Sequence, residues 1–140
     1  MRYLTPFVCG ILLLIVLVLV FSVAANYSPL NSYFMTVPDF DGNSVQWWWL
    51  AAYDNTILII TVTLALWLYR RFLPNAPYNL KAMLVMQLPL ALSSAIGLLQ
   101  SGYFSGNVYQ NVITVNRTFC AVVVILLYAV HRMIQPQDAS

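Results

Sequence analysis

Two adjacent polar pairs, Asp54-Asn55 and Asn116-Arg117, stand where the chain is otherwise apolar. Asp54 follows Trp49 by five residues, which puts it about 7–8 Å inside an apolar stretch at 1.5 Å per helical residue. Arg117 follows Val112 by five residues and so lies at a matching depth from the same side. A charge at the centre of a bilayer costs at least about 2.5–3.5 kcal/mol, less toward the interface. Opposite charges at one height are therefore expected to pair, Asp54 with Arg117, between two helices. The alternative is that Asp54 and Asn55 cap a shorter helix starting at Thr56 while Arg117 snorkels to headgroups. With Asn55 and Asn116 alongside, the four residues also make a candidate binding site. A lone aspartate can serve as a general base and an arginine can hold a phosphate, although nothing here specifies a reaction.

Other chemistry-bearing residues are too few or wrongly spaced. Cys9 and Cys120 should differ in height by roughly 12 Å, too far for a disulfide, and are expected to be small apolar filler. His131 is the single histidine, so neither a bis-His haem nor a metal site can be assembled within the chain. A haem or quinone shared with another subunit is the alternative to a simpler role for His131 and Arg132 at a helix C-terminus, which favours cations. The latter is expected, with no cofactor. Asp39-Phe40-Asp41-Gly42-Asn43 fails as a calcium loop, because the glycine comes two positions early and the bidentate glutamate position is Leu50. Pro38 and Gly42 read as turn residues.

The elements that carry these residues follow from composition. Of 140 residues, 61% are apolar and 7% charged, with four Asp, no Glu and a net charge of +2. Mean hydropathy is +0.79. So few charges cannot cover a water-soluble globule, and their small, scattered excess is no nucleic-acid footprint. Abundant Leu, Val, Ile and aromatics exclude disorder. About 20 apolar residues span the hydrocarbon. Four stretches meet this: 4–25, 47–69, 81–103 and 112–134, with an outer loop over 26–46. Arg2 and Val23-Ala24-Ala25 give the first stretch the look of a signal peptide, but its apolar run is longer than a typical h-region and a retained anchor is expected.

Arg2, Arg70, Arg71, Lys81 and Arg132 fall on one side and Arg117 alone on the other, which predicts both termini in the cytoplasm. Trp47, Trp48 and Trp49 would form the aromatic belt at the outer interface, with Trp67 at the inner one. Two sequons, at Asn26 and Asn116, lie too close to a span to be good acceptors.

Helix faces suggest the packing. Pro89, Ser93, Gly97 and Ser101 recur every four residues, a small-residue face that lets helix backbones approach closely, and Pro89 is expected to kink or loosen its helix. Gln87 and Tyr128 lie at similar depth and are expected to share a hydrogen bond, which in membranes contributes about 0.6 kcal/mol. The first span has no polar residue between Gly10 and Ser22 and should sit on the rim. Tyr27, Leu30, Tyr33, Phe34, Met35 and Phe40 make the outer loop unusually apolar, so it should pack over the bundle or against a partner.

The expected fold is an all-α integral membrane bundle of four transmembrane helices, N-in and C-in. Three functional readings follow. The first is a non-catalytic accessory subunit of a larger membrane complex. The second is a small oligomeric transporter, channel or pore-former with an outer-leaflet Asp/Arg site. The third is a membrane enzyme or lipid-handling protein. Expected partners are the lipid bilayer and other membrane subunits or copies of itself, in a bacterial inner membrane.

Overall fold

The computed structural model describes residues 2–101 and 106–134. Six helices are formed: α1 (Leu4–Asn26), α2 (Pro29–Phe34), α3 (Trp47–Phe72), α4 (Leu80–Ser101), α5 (Val108–Cys120) and α6 (Val123–Ile134). α1, α3 and α4 are each long and apolar enough to cross a membrane, and α5 with α6 makes a fourth candidate bent by 57°. By helix length and hydropathy the chain is an integral multi-pass membrane protein. Tyr103, where the third span was expected to end, lies outside the described residues.

In hydrocarbon every backbone polar group needs an internal partner, so even runs rich in Val and Ile become helix. Pro6 falls in the first turn of α1, where no intrahelical N–H bond is lost. Asn79 Oδ1 accepts from the Ala82 N–H at 2.9 Å and so caps the start of α4. α3 ends on Arg70 and Arg71, cations at the negative end of the helix dipole. The end of the bundle that carries Arg70, Arg71, Lys81, His131 and Arg132 is called the basic end, and the opposite one the loop end.

α4 is central. It packs against α1, α5 and α6, and α3 closes the other side against the same three helices. The backbones of α1 and α4 approach closely at Gly10, where an added Cβ would run into the Met86 carbonyl. This contact, rather than the small-residue face of α4, brings the helices together. Pro89 and Gly97 are buried, but Ser93 is exposed and Ser101 only half-buried, its hydroxyl bonded to Gly97 O of its own helix at 2.7 Å. Pro89 leaves α4 continuous. Val62, Met83, Met86, Leu90 and Val124 form the core, which runs from mid-bundle to the basic end. α1 contributes Leu13 and Leu17 to it, with Cys9, Leu14 and Phe21 packed alongside, and leaves its opposite face exposed.

The break between α5 and α6 has no proline or glycine at it. Its cause is Gln87. The side-chain Nε2 donates to Cys120 O at 2.9 Å, and Oε1 accepts from Val124 N at 2.7 Å. Those are the two backbone groups that an unbroken helix would join as an i→i−4 pair. The amide therefore stands in for the missing helical bond, a side chain inserted into the ladder. Gln87 does not bond Tyr128 as expected. Tyr128 packs edge-on against Tyr78, with ring centroids 5.2 Å apart.

At the basic end, Tyr69 donates to Pro77 O at 2.9 Å and pins the link between α3 and α4. Arg70 lies 4.9 Å from the Tyr78 ring centroid and contacts His131 Nε2. Burial pushes the Tyr78 phenol above its ordinary range, against the opposing pull of the Arg70 cation.

Candidate functional site

The loop end is roofed by α2 and the segment after it. Ser28 Oγ accepts from Leu30 N at 3.2 Å, which caps α2 with Pro29 in its first turn. Asn31 Nδ2 donates to Ala25 O at 3.0 Å and ties α2 back to the end of α1. Phe34 stacks on Phe40 at 4.8 Å, and both rings meet Trp47, at 5.0 and 4.8 Å. Trp47 then reaches Tyr109 of α5 at 4.5 Å and donates Nε1–H to Asp41 O at 2.8 Å. Trp47 is thus the centre of an aromatic cap, whereas Trp48, Trp49 and Trp67 are exposed. Asp41 accepts from Asn43 N at 2.8 Å and Ser44 Oγ at 3.3 Å, closing its own turn, and Gly42 O accepts from Tyr109 N at 2.9 Å. Among the described residues no cluster of His, Cys, Asp or Glu could hold a metal ion.

Beneath this roof, α1, α3, α4 and α5 surround a cavity of about 670 Å³. That is in the range of small-molecule sites. α1 supplies an apolar wall through Leu14, Leu17 and Phe21. The opposite wall is polar: Asp54, Asn55, Ser93, Ser94, Asn116 and Arg117. Tyr53 donates to Ala24 O at 3.3 Å and closes the seam between α1 and α3.

The polar wall is built around Asn116. Its Nδ2 donates to Asp54 Oδ2 at 3.0 Å, and its Oδ1 accepts from Asn55 Nδ2 at 3.0 Å. Consecutive residues on α3 point about 100° apart, so one asparagine on α5 can straddle both. The expected Asp54–Arg117 ion pair is not formed, because no nitrogen of Arg117 lies within 4.0 Å of an Asp54 oxygen. Arg117 follows Asn116 around α5 and is turned away, its guanidinium laid over Gly97, where any Cβ would displace it. Gly97 is therefore small to admit an arginine side chain, not a second helix backbone. Arg117 Nε and Asn55 Oδ1 are buried without a hydrogen-bond partner.

A second, apolar groove of about 500 Å³ runs between α1 and α4, lined by Phe7, Ile11, Leu92 and Ile96. It shares Leu14, Ser93 and Arg117 with the cavity, so the two spaces adjoin at the arginine. Together they offer an oily channel ending at a polar chamber.

Of the residues singled out from sequence, Asp54, Asn55, Asn116 and Arg117 come together around one chamber, with Ser93 at its mouth. Gln87 and Tyr128 lie elsewhere and apart from each other. Sequence reasoning missed the apolar wall from α1 and the seam made by Tyr53. Neither had a signal, since Leu14 and Phe21 look like every other lipid-facing residue of that run. The Asn116 sequon is engaged with α3, and both cysteines are free thiols, half-buried on α1 and α5.

No family model matches this chain, and no curated protein or solved structure matches it either.

Proposed function

We propose that the protein is a non-catalytic lipid-handling membrane protein that binds an amphipathic molecule, its headgroup in the loop-end cavity and its chain in the α1–α4 groove. The observation that carries this reading is the junction of the two spaces at Arg117, a cation without an anionic partner among the described residues that lines both the apolar groove and the polar chamber. The test is lipid retention. Protein purified in mild detergent should keep a lipid in a fixed ratio through detergent exchange, and Ser93→Phe, which plugs the junction, should lose it. A lipid-free wild type, or a Ser93→Phe variant that keeps the same lipid, overturns the reading.

A role as accessory subunit of a larger membrane complex is supported by a separate observation. Tyr27, Met35 and Val45 are 82%, 90% and 68% exposed on the loop end, and Met35 and Val45 lie outside the apolar spans. Apolar side chains in that position suit a partner protein. Reproducible co-purification with larger membrane proteins, lost on Met35→Lys with Tyr27→Lys, is the expected result. A particle containing this chain alone would sink it.

A further inference from the structure

We infer that the headgroup taken by the cavity is a zwitterion with a primary ammonium and a phosphate, as in an aminophospholipid. This rests on the lipid-handling reading and gives it a ligand class. Asp54 and Arg117 border the same chamber, yet neither neutralises the other. A neutral amide, Asn116, occupies the position on Asp54 that an arginine would take. Among the described residues Asp54 has no cationic partner, and Arg117 has no anionic one. Two uncompensated opposite charges held apart inside an apolar bundle are each costly. A ligand carrying one positive and one negative group satisfies both at once, and an ion of single sign leaves one of them unpaired.

The chemistry of each pole narrows the class. Asn116 holds Asp54 by one oxygen, Oδ2, and leaves Oδ1 without a hydrogen bond. An ammonium with N–H donors can use that oxygen, and a quaternary ammonium cannot. At the other pole the guanidinium lies across Gly97, lines the chamber and has no anionic partner among the described residues. It presents planar donors of the kind that grip phosphate oxygens. The apolar groove leads away from the arginine, which suits a phosphate placed between the acyl chains and the terminal ammonium, as in phosphatidylethanolamine.

The experiment uses the full chain, delipidated in detergent, with dioleoyl phosphatidylethanolamine, phosphatidylglycerol and phosphatidylcholine titrated separately and binding read by native mass spectrometry. Phosphatidylethanolamine is expected to bind about tenfold tighter than either of the others, the worth of one charge-assisted hydrogen bond. Asp54→Asn, which keeps the shape and can still meet Asn116, should erase the preference over phosphatidylglycerol. Arg117→Gln should weaken all three lipids. Equal affinity for phosphatidylethanolamine and phosphatidylglycerol in the wild type overturns the zwitterion inference and leaves lipid binding standing. Failure of all three to bind overturns the lipid-handling reading itself. The wild-type comparison decides the matter even where a variant fails to fold.

Discussion

Toward the basic end, Val62, Met83, Leu90 and Val124 leave no exposed surface, and four helices meet with their side chains filling the space. Toward the loop end α1, α3, α4 and α5 surround a chamber edged by Asp54, Ser93 and Arg117. The two regions differ in what holds them. In the first, close backbone approach at Gly10 and dense apolar packing supply stability, as they must where lipid offers no hydrophobic force between helices. In the second, side-chain amides tie α3 to α5 and a roof of aromatic rings covers the chamber. Gln87 sits at the boundary and bends the fourth span, which lets α5 lean to one side of the chamber while α6 joins the core. The close-packed core and the open chamber thereby lie at opposite ends.

Substitutions should separate the two. Gly10→Leu forces α1 off α4, and overpacking of this kind should cost about 3 kcal/mol or more; thermal unfolding in detergent would read it. An unchanged transition would mean that α1 is not held by that contact. Gln87→Leu comes next. It strips the bridge from Cys120 O and Val124 N, at about 2–3 kcal/mol for groups left unpaired in an apolar interior. Part of that loss can be recovered if α5 and α6 join into one straight helix, so spin labels at Tyr109 and Val130 should also report a changed distance. If neither stability nor distance moves, Gln87 does not cause the break.

Trp47→Ala acts on the loop end alone. Full burial would make this truncation worth about 3–5 kcal/mol. Trp47 is only partly buried, so a loss of about 1–2 kcal/mol is expected, together with faster proteolytic nicking between residues 35 and 46. The smallest effect belongs to the chamber itself. Ser93→Ala should change stability by less than about 0.5 kcal/mol, as for surface positions without a structural role. A loss above about 1 kcal/mol would show that the chamber wall carries packing as the opposite half does, and would dissolve the contrast.

Much of the framework could be read directly from the chain. The apolar runs that became α1, α3 and α4 are long enough to span a bilayer, and nothing but helix satisfies their backbones there. Asp54, Asn55, Asn116 and Arg117 were legible as a group because charge and amide are expensive in that solvent. How they would pair was not legible. Depth along a helix follows from counting residues, but direction around it depends on which neighbour each helix faces. One residue of rotation, about 100°, decides whether Asn116 or Arg117 meets Asp54. The short helix α2 has a clear start at Ser28-Pro29, yet its six residues were too few to give a periodic signal.

Composition alone determined that this chain lives in a membrane as a helical bundle, because its 7% charged residues leave no other solvent open to it. Spacing alone determined the heights of the polar groups. Only the tertiary structure decided that Gln87 replaces a backbone bond in another helix, that Trp47 caps the bundle, and that Gly97 makes room for Arg117. Each of these is a contact between residues distant in sequence, set by how whole helices rotate and tilt against one another. No local pattern encodes that, because it is the sum of all the packing at once.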